Sequence, residues 1–483
     1  MVEVAKKLNG ILSLREFLTP FIYSRVFPII ISLIALSAYQ VNLWQFGLAL
    51  YVFFFCAILL IFEDITPTLP IICTFAFIFG DLSVFSSVAL YIILAPAAVC
   101  LVAHFFFYPA KFRFGEMFLP LILVSIAMLI GGLGSFYTAL YLNGFSTIIG
   151  CGVMLLAIYL IFTNSIRPPK DFDLKLYLID VLIIVALSCA AELCLKYLTI
   201  YLNNGQFDNG KIYQFSSMGW GHTNCVASLI LLATPLCFYR ITKTDMIFPW
   251  LILLAFFYVS AYVSRSDGAF FLMLLLSPVY VVFTLIRMKS YKRVHFALYV
   301  LLIITLCWAA ASLFLDFGKL IEKFKDLLYN DSGRTPLYTC AVYCFMNNPI
   351  FGVGLGFYND VLMNPVFYEF GAVTTFNFHS VLFEVMATMG IVGLVVYVYY
   401  YYKRLRILGR TNSDRNFFLT LAFLGIELYA FIDTCEFIAV PTMIILTLMV
   451  AFTERGNETK TADFPLGKKF RLNFKKFSFD YII

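Results

Sequence analysis

Phe378-His379-Ser380-Val381-Leu382-Phe383-Glu384-Val385-Met386-Ala387-Thr388-Met389-Gly390-Ile391-Val392-Gly393-Leu394, carried on in the same apolar vein to Tyr402, decides the fold. Glu384 is the one formally charged side chain between residues 378 and 402. A helix needs about 20 mostly apolar residues to cross the hydrocarbon layer, and this run supplies them. The alternation of a barrel strand is absent, and only helices or closed barrels satisfy the backbone in lipid. Similar runs fill the chain at about 21–40, 44–62, 66–80, 84–108, 117–141, 145–163, 175–200, 222–241, 246–264, 268–288, 294–315, 416–434 and 437–453. Together they predict an all-α, polytopic transmembrane helical bundle of about 14 spans, or 12 if two are half-helices. The third run is short and interrupted by Pro67 and Pro70. Composition points the same way, with 62% hydrophobic and 13% charged residues and a mean hydropathy of +0.90. A soluble domain is excluded on those figures.

Lys and Arg concentrate in cytoplasmic loops, so their positions orient the bundle. They gather at Lys6, Lys7, Arg15 and Arg25, at Lys111 and Arg113, and at Arg167, Lys170 and Lys175. Further groups are Arg240 and Lys243, then Arg287, Lys289, Lys292 and Arg293, then Lys403, Arg404, Arg406, Arg410 and Arg415. Numbered from a cytoplasmic N-terminus, every group falls inside, and the turn at Glu63-Asp64 is the one inside loop without basic charge. Residues 1–20 read as a cytoplasmic lead-in rather than a signal peptide, having no cleavable apolar core. The organisation is then spans 1–11 over 21–315, an outward loop over 316–377, spans 12–14 over 378–453, and a basic cytoplasmic tail over 454–483. The 54 Phe and 30 Tyr suit lipid-facing surfaces and interfacial belts. Most of the 12 Cys lie in apolar runs as small hydrophobes, while Cys340 and Cys344 lie four apart in the outward loop.

That orientation gathers Arg265, Arg334 and His379 on the outer face. Thr335-Pro336 starts a predicted helix, and Leu337, Cys340, Ala341, Cys344 and Phe345 form one apolar stripe before Asn348-Pro349 ends it. Arg334 precedes that helix N-terminus, where free N–H groups favour an anion; it reads either as part of a phosphate seat or as an exposed interfacial Arg. Gly352-Val353-Gly354-Leu355-Gly356 follows a helix rather than a strand and reads as a tight turn, not a dinucleotide loop. His379, beside Ser380, is either a proton acceptor for an attacking hydroxyl or a polar anchor. Glu384, five residues on and about 140° around a helix, serves either the site or helix packing. Arg265 is a ligand for anions or a snorkelling residue. Glu192 and Lys196 read as an i, i+4 ion pair or as cavity lining. Glu427, Asp433 and Glu436 are acidic groups able to face the same cavity. His222 reads as an interface anchor, and His104 and His295 lie toward the cytoplasmic face. No His, Cys, Asp and Glu cluster has metal-ligand spacing, and no nucleophile elbow or phosphate-binding loop is present.

Four pieces in order resemble the O-antigen ligase and O-antigen polymerase superfamily of bacterial membrane glycosyltransferases. Gly221-His222-Thr223-Asn224-Cys225-Val226-Ala227 is similar to its Asn-x-x-Ala helix opening, and Tyr262-Val263-Ser264-Arg265-Ser266-Asp267-Gly268 to its Ser-Arg-Gly turn. Ser332-Gly333-Arg334 through Asn348-Pro349-Ile350-Phe351-Gly352-Val353-Gly354-Leu355-Gly356 resembles its long loop. Phe378-His379-Ser380 through Met389-Gly390-Ile391-Val392-Gly393-Leu394 resembles its His-Asn followed by Gly-Ile-x-Gly-Leu. Ser380 stands for the usual Asn, Asp267 interrupts the Ser-Arg-Gly turn, and the Trp often found after the loop Gly-Arg is missing. The resemblance covers about 221–394.

It implies a donor oligosaccharide on undecaprenyl pyrophosphate, used at the outer face of the bacterial inner or sole cytoplasmic membrane, with both termini cytoplasmic. Arg265 and Arg334 would hold the pyrophosphate, and His379 would orient or deprotonate the acceptor hydroxyl for inverting attack. Glu384, Asn348 and Ser380 would add substrate contacts. No metal and no cofactor is implied, and no nucleic acid; a polysaccharide chain-length regulator is an implied partner. A polymerase joining repeat units of O-antigen, capsule or exopolysaccharide is the first expectation. A ligase passing polymer to lipid A core or another surface acceptor is the alternative. A lipid-linked oligosaccharide flippase is the alternative of another class, but no internal repeat is visible and few charges lie inside the spans.

Overall fold

The computed structural model describes residues 13–78, 87–109, 112–135, 148–204, 223–314, 334–355, 364–371, 377–433, 439–458, 470–474 and 477–481. It divides into two compact units, Met1–Gly115 with Ile158–His222 and Ile444–Ile483, and Glu116–Ala157 with Thr223–Met443.

In the first unit, α1 (Ser13–Ile22) and α2 (Val26–Gln40) form a pair bent by 75°. They are followed by α3 (Trp44–Ile61), α4 (Leu69–Ile78) and α5 (Ser87–Phe107). The Pro-broken third run is a 3-10 turn at Thr66–Thr68 leading into α4, with Pro67 at the turn's start, where its missing N–H leaves nothing unpaired. Two more helices of this unit are the later part of α7 (Met154–Ser165) and the 31-residue α8 (Leu174–Asn204). The Glu63-Asp64 turn, which lacks basic residues of its own, draws them from another loop. Glu63 pairs with the Arg167 guanidinium, and Asp64 accepts from Tyr23 Oη at 2.6 Å and the Arg167 amide at 2.6 Å. Asn164 brackets Arg113 at the same end, and Arg113 pairs with Glu458 at 3.1 Å. Loops assigned to one membrane face by charge therefore meet in space within this unit.

The second unit holds α6 (Phe118–Ile130), α9 (Thr223–Lys243), α10 (Ile247–Val263), α11 (Asp267–Arg287) and α12 (Ser290–Phe314). Then come α13 (Arg334–Asn347), α14 (Asn364–Glu369), α15 (Val381–Leu408), α16 (Asp414–Ala430) and the start of α17 (Val440–Glu458). A π-helical turn at Ile149–Val153 leads into α7. Helix α9 is the hub: every residue from Val226 to Thr242 is buried, and α10, α11 and α16 pack around it. Its sequence, rich in Leu, Ile and Ala with no charge before Arg240, has no face that needs water. At one end of this unit Lys243 and Arg287 both pair with Asp414, and Arg410 pairs with Glu116 at 2.5 Å. Lys292 sits 2.6 Å from Asp245, and that hydrogen bond and charge hold the exposed Asp245 carboxyl below its ordinary range. A buried pair crosses the helices: Arg404 lies 3.0 Å from Glu427, both 1% exposed, while Tyr397 Oη donates to Glu427 at 3.0 Å.

Each of the fourteen apolar runs carries a helix over its described residues. Among the described residues five helices, α3, α8, α9, α11 and α15, are long and apolar enough to cross a membrane, and six spans result if the bent α1–α2 pair counts as one. Others, including α6 and α10, are shorter apolar helices. Within the tail, Phe470–Phe474 and Phe477–Tyr481 pair as a two-stranded antiparallel ribbon, an addition to the all-α class expected.

Candidate active site

His379 sits immediately before Ser380, the extended N-cap of α15. Its φ is +48°, and that of Arg265 is +62°. Among the described residues only Asn42 joins them as a non-glycine residue in the left-handed region. Asn tolerates that conformation; an Arg and a His held there each cost about 1–3 kcal/mol, and such outliers cluster at functional positions. Two residues that the sequence singled out for chemistry are thus the two whose backbones are forced.

Both are held by one polar network. His379 Nδ1 lies 3.1 Å from Asp433 Oδ1, just beyond the end of α16. Asp433 Oδ2 accepts from Tyr429 Oη at 3.1 Å and from Asn224 Nδ2 at 2.5 Å, at the start of α9. The Tyr429 hydroxyl also meets Ser266 Oγ at 2.7 Å. Ser266 is the residue after Arg265, and its amide donates to Ser264 Oγ at 3.3 Å. The starts of α9, α11 and α15 and the ends of α10 and α16 are therefore drawn together at the opposite end of this unit from Lys243, Arg287 and Asp414. His379 keeps 34% of its side chain exposed and Asp433 only 11%.

Arg334 arrives on α13. Tyr338 stacks on Phe383 with ring centroids 4.2 Å apart, and Leu337, Cys340, Ala341 and Cys344 share a buried cluster with Phe378 and Ala387. The expected apolar stripe is what α13 buries. Arg334 is thus four positions before the ring that packs on Phe383, itself four positions after His379. Among the described residues neither the Arg265 nor the Arg334 guanidinium has a hydrogen-bond or ion-pair partner.

The glycine run does more than turn. A continuous helix would give the carbonyls of Ala387 and Thr388 to the amides of Ile391 and Val392. Gly390, at φ +64° and ψ −156°, breaks α15 instead. The freed carbonyls accept from Val353 N–H at 2.8 Å and Gly354 N–H at 3.0 Å, and the freed amides donate to Pro349 O at 2.9 Å and Ile350 O at 3.3 Å. All four orphaned groups find partners, as an apolar surrounding demands. A Cβ on Gly352 would fall 2.4 Å from the Thr388 carbonyl carbon, and one on Gly390 2.4 Å from Ile350 O. The end of α6 joins through Gly132 N–H to Phe351 O at 2.8 Å. The uninterrupted span read from residues 378–402 is thus a broken one with a loop threaded through it.

The remaining sequence candidates divide by location. Asn348 Nδ2 donates to Leu133 O at 3.2 Å, Ser380 is buried at the α15 cap, and Glu384 Oε2 accepts from Phe378 N–H at 3.1 Å. Glu427 belongs to the buried pair with Arg404. In the first unit Glu192 and Lys196 do not pair with each other as the four-residue spacing predicts. Glu192 accepts from Gln40 Nε2 at 2.9 Å, and Lys196 Nζ lies 4.1 Å from the Tyr39 ring centre, because α2 offers both a closer partner. His104 and His295 bond main-chain carbonyls of Leu59 and Tyr291. His222, Gly356 and Glu436 lie outside the described residues. Sequence reasoning left Asp433 without a role and missed Tyr429 and Ser266; the four-residue spacing of Tyr429 and Asp433 was the available signal.

No curated protein matches the chain. Residues 250–398 match a family model, and the matched stretch runs from α10 into α15 and includes Arg265, Arg334, His379 and the Gly390 break. Over those residues the chain is similar to the O-antigen ligase (Wzy_C) family, whose members are membrane enzymes of glycosyltransferase type that act in polysaccharide biosynthesis.

Proposed function

We propose that this protein polymerises undecaprenyl-pyrophosphate-linked oligosaccharide repeat units into a surface polysaccharide at the outer face of the membrane. The observation that carries the reading is the network from Ser266 through Tyr429 and Asp433 to His379, which ties the Arg265 turn to the imidazole. With Nδ1–H donated to Asp433, a neutral imidazole has its lone pair on Nε2, ready to take the proton of an acceptor hydroxyl. The oxygen attacks the anomeric carbon from the face opposite the leaving lipid pyrophosphate, so the configuration inverts. Arg265 and Arg334, two guanidiniums with no anionic partner among the described residues, neutralise the charge that grows on the departing diphosphate.

In this reading all fourteen apolar helices are membrane elements and both termini are cytoplasmic. The support is that the loops grouped by basic charge also converge in space within each unit. A ligase reading is favoured by the description of the matched family, O-antigen ligase, and shares the same site. Deletion of the gene in its host separates them. A polymerase deletion leaves single repeats on the final acceptor, whereas a ligase deletion leaves the acceptor bare and polymer on the lipid. Complementation with His379→Ala at equal membrane abundance restores neither; restored long chains would remove His379 from the mechanism.

A further inference from the structure

We infer that Glu384 is a positioning residue for His379, acting through the backbone and touching no substrate. The inference rests on His379 being the base proposed above. Glu384 is 1% exposed and lies in the first turn of a membrane-crossing helix. A carboxylate in such a place is expensive and is retained for a function. Its closure from solvent keeps it from sugar or diphosphate. Among the described residues the only hydrogen bond its carboxylate makes is the one from Phe378 N–H.

That amide belongs to the residue directly before His379. The His379 backbone has a positive φ, uncommon for a residue with a side chain. Glu384 fixes the chain just ahead of the strained residue, and the buried Phe378 ring, stacked 6.1 Å from Phe367, fixes it again. Asp433 holds the imidazole from just past the end of α16. The ring is thus located by two carboxylates, one in the first turn of α15 gripping the backbone and one just past α16 gripping Nδ1. What Glu384 supplies is an acceptor oxygen at a given point, a task that a glutamine carbonyl also performs.

The test compares Glu384→Ala and Glu384→Gln in the full-length protein purified in nanodiscs. The substrate is undecaprenyl-pyrophosphate oligosaccharide extracted from the host deletion strain, and His379→Ala is run alongside. Misplacing a catalytic group by about 1 Å costs about 100-fold in rate. Glu384→Ala is therefore expected to lose about 100-fold in kcat with KM within about twofold, and Glu384→Gln to regain kcat to within about threefold of wild type. A Glu384→Gln variant as inactive as Glu384→Ala would overturn the inference, because it would mean that the charge itself acts. A rise in KM at unchanged kcat would also overturn it, as a substrate contact. If Glu384→Ala does not accumulate, Glu384→Gln alone decides, since an acid–base or substrate role would abolish its activity. An active His379→Ala would instead defeat the proposed function, whereas an inactive His379→Ala beside an active Glu384→Ala defeats this inference alone.

Discussion

In the proposed reaction the guanidinium planes of Arg265 and Arg334 matter as well as their charge. Arg presents a rigid fork that bonds two oxygens of a diphosphate at once, whereas Lys offers a point charge on a flexible stem. Arg265→Lys and Arg334→Lys are each expected to lower kcat/KM at least about tenfold, the size of one lost charge-assisted bond. Turnover of lipid-linked oligosaccharide measures this, and wild-type rates in both variants would remove the arginines from diphosphate binding. The forced backbones at Arg265 and His379 belong to the same scale. They aim two side chains that regular helix ends would send elsewhere. The sequence offered their identities but no hint of their φ angles.

At the scale of elements, the threaded break in α15 joins the helix that carries Arg334 to the helix that His379 precedes. Gly390→Ala and Gly352→Ala are each expected to destabilise the protein by about 3 kcal/mol or more. Left-handed strain accounts for about 1–2 kcal/mol, and the added methyl collides with backbone that cannot swing aside. A fall in the melting temperature of the detergent-solubilised protein checks this; an unchanged melting temperature would mean that the loop is not threaded through the helix. The Arg404–Glu427 pair tests the next contact, between α15 and α16. Arg404 also lies 4.0 Å from the Tyr400 ring centre and 4.8 Å from that of Phe423. Arg404→Leu leaves a buried carboxylate uncompensated and should cost about 3–5 kcal/mol, read by the same melting measurement. A combined Arg404→Leu, Glu427→Leu variant should recover much of that loss.

For the whole molecule the testable statement is sidedness. With both termini cytoplasmic, reporters fused at either end fluoresce as cytoplasmic green fluorescent protein and show no alkaline phosphatase activity. A reporter inserted after Asn348 shows the reverse, and phosphatase activity at either terminus would overturn the orientation. Much of this level was legible without coordinates, because hydropathy and charge act on whole segments. Lipid sets the length of a run, so the helical class and the apolar helices follow from composition along the chain. The same local logic found α13, whose Thr-Pro start and apolar stripe need no partner to be read. It could not find the break at Gly390 or the grip of Asp433 on His379. The first depends on which carbonyls and amides a distant loop can reach, and the second on which helix ends meet at one level. Chain order thus determined what each segment is. Packing decided what the segments do to each other, because hydrogen bonds that span α9, α11, α15 and α16 exist only once those helices stand side by side.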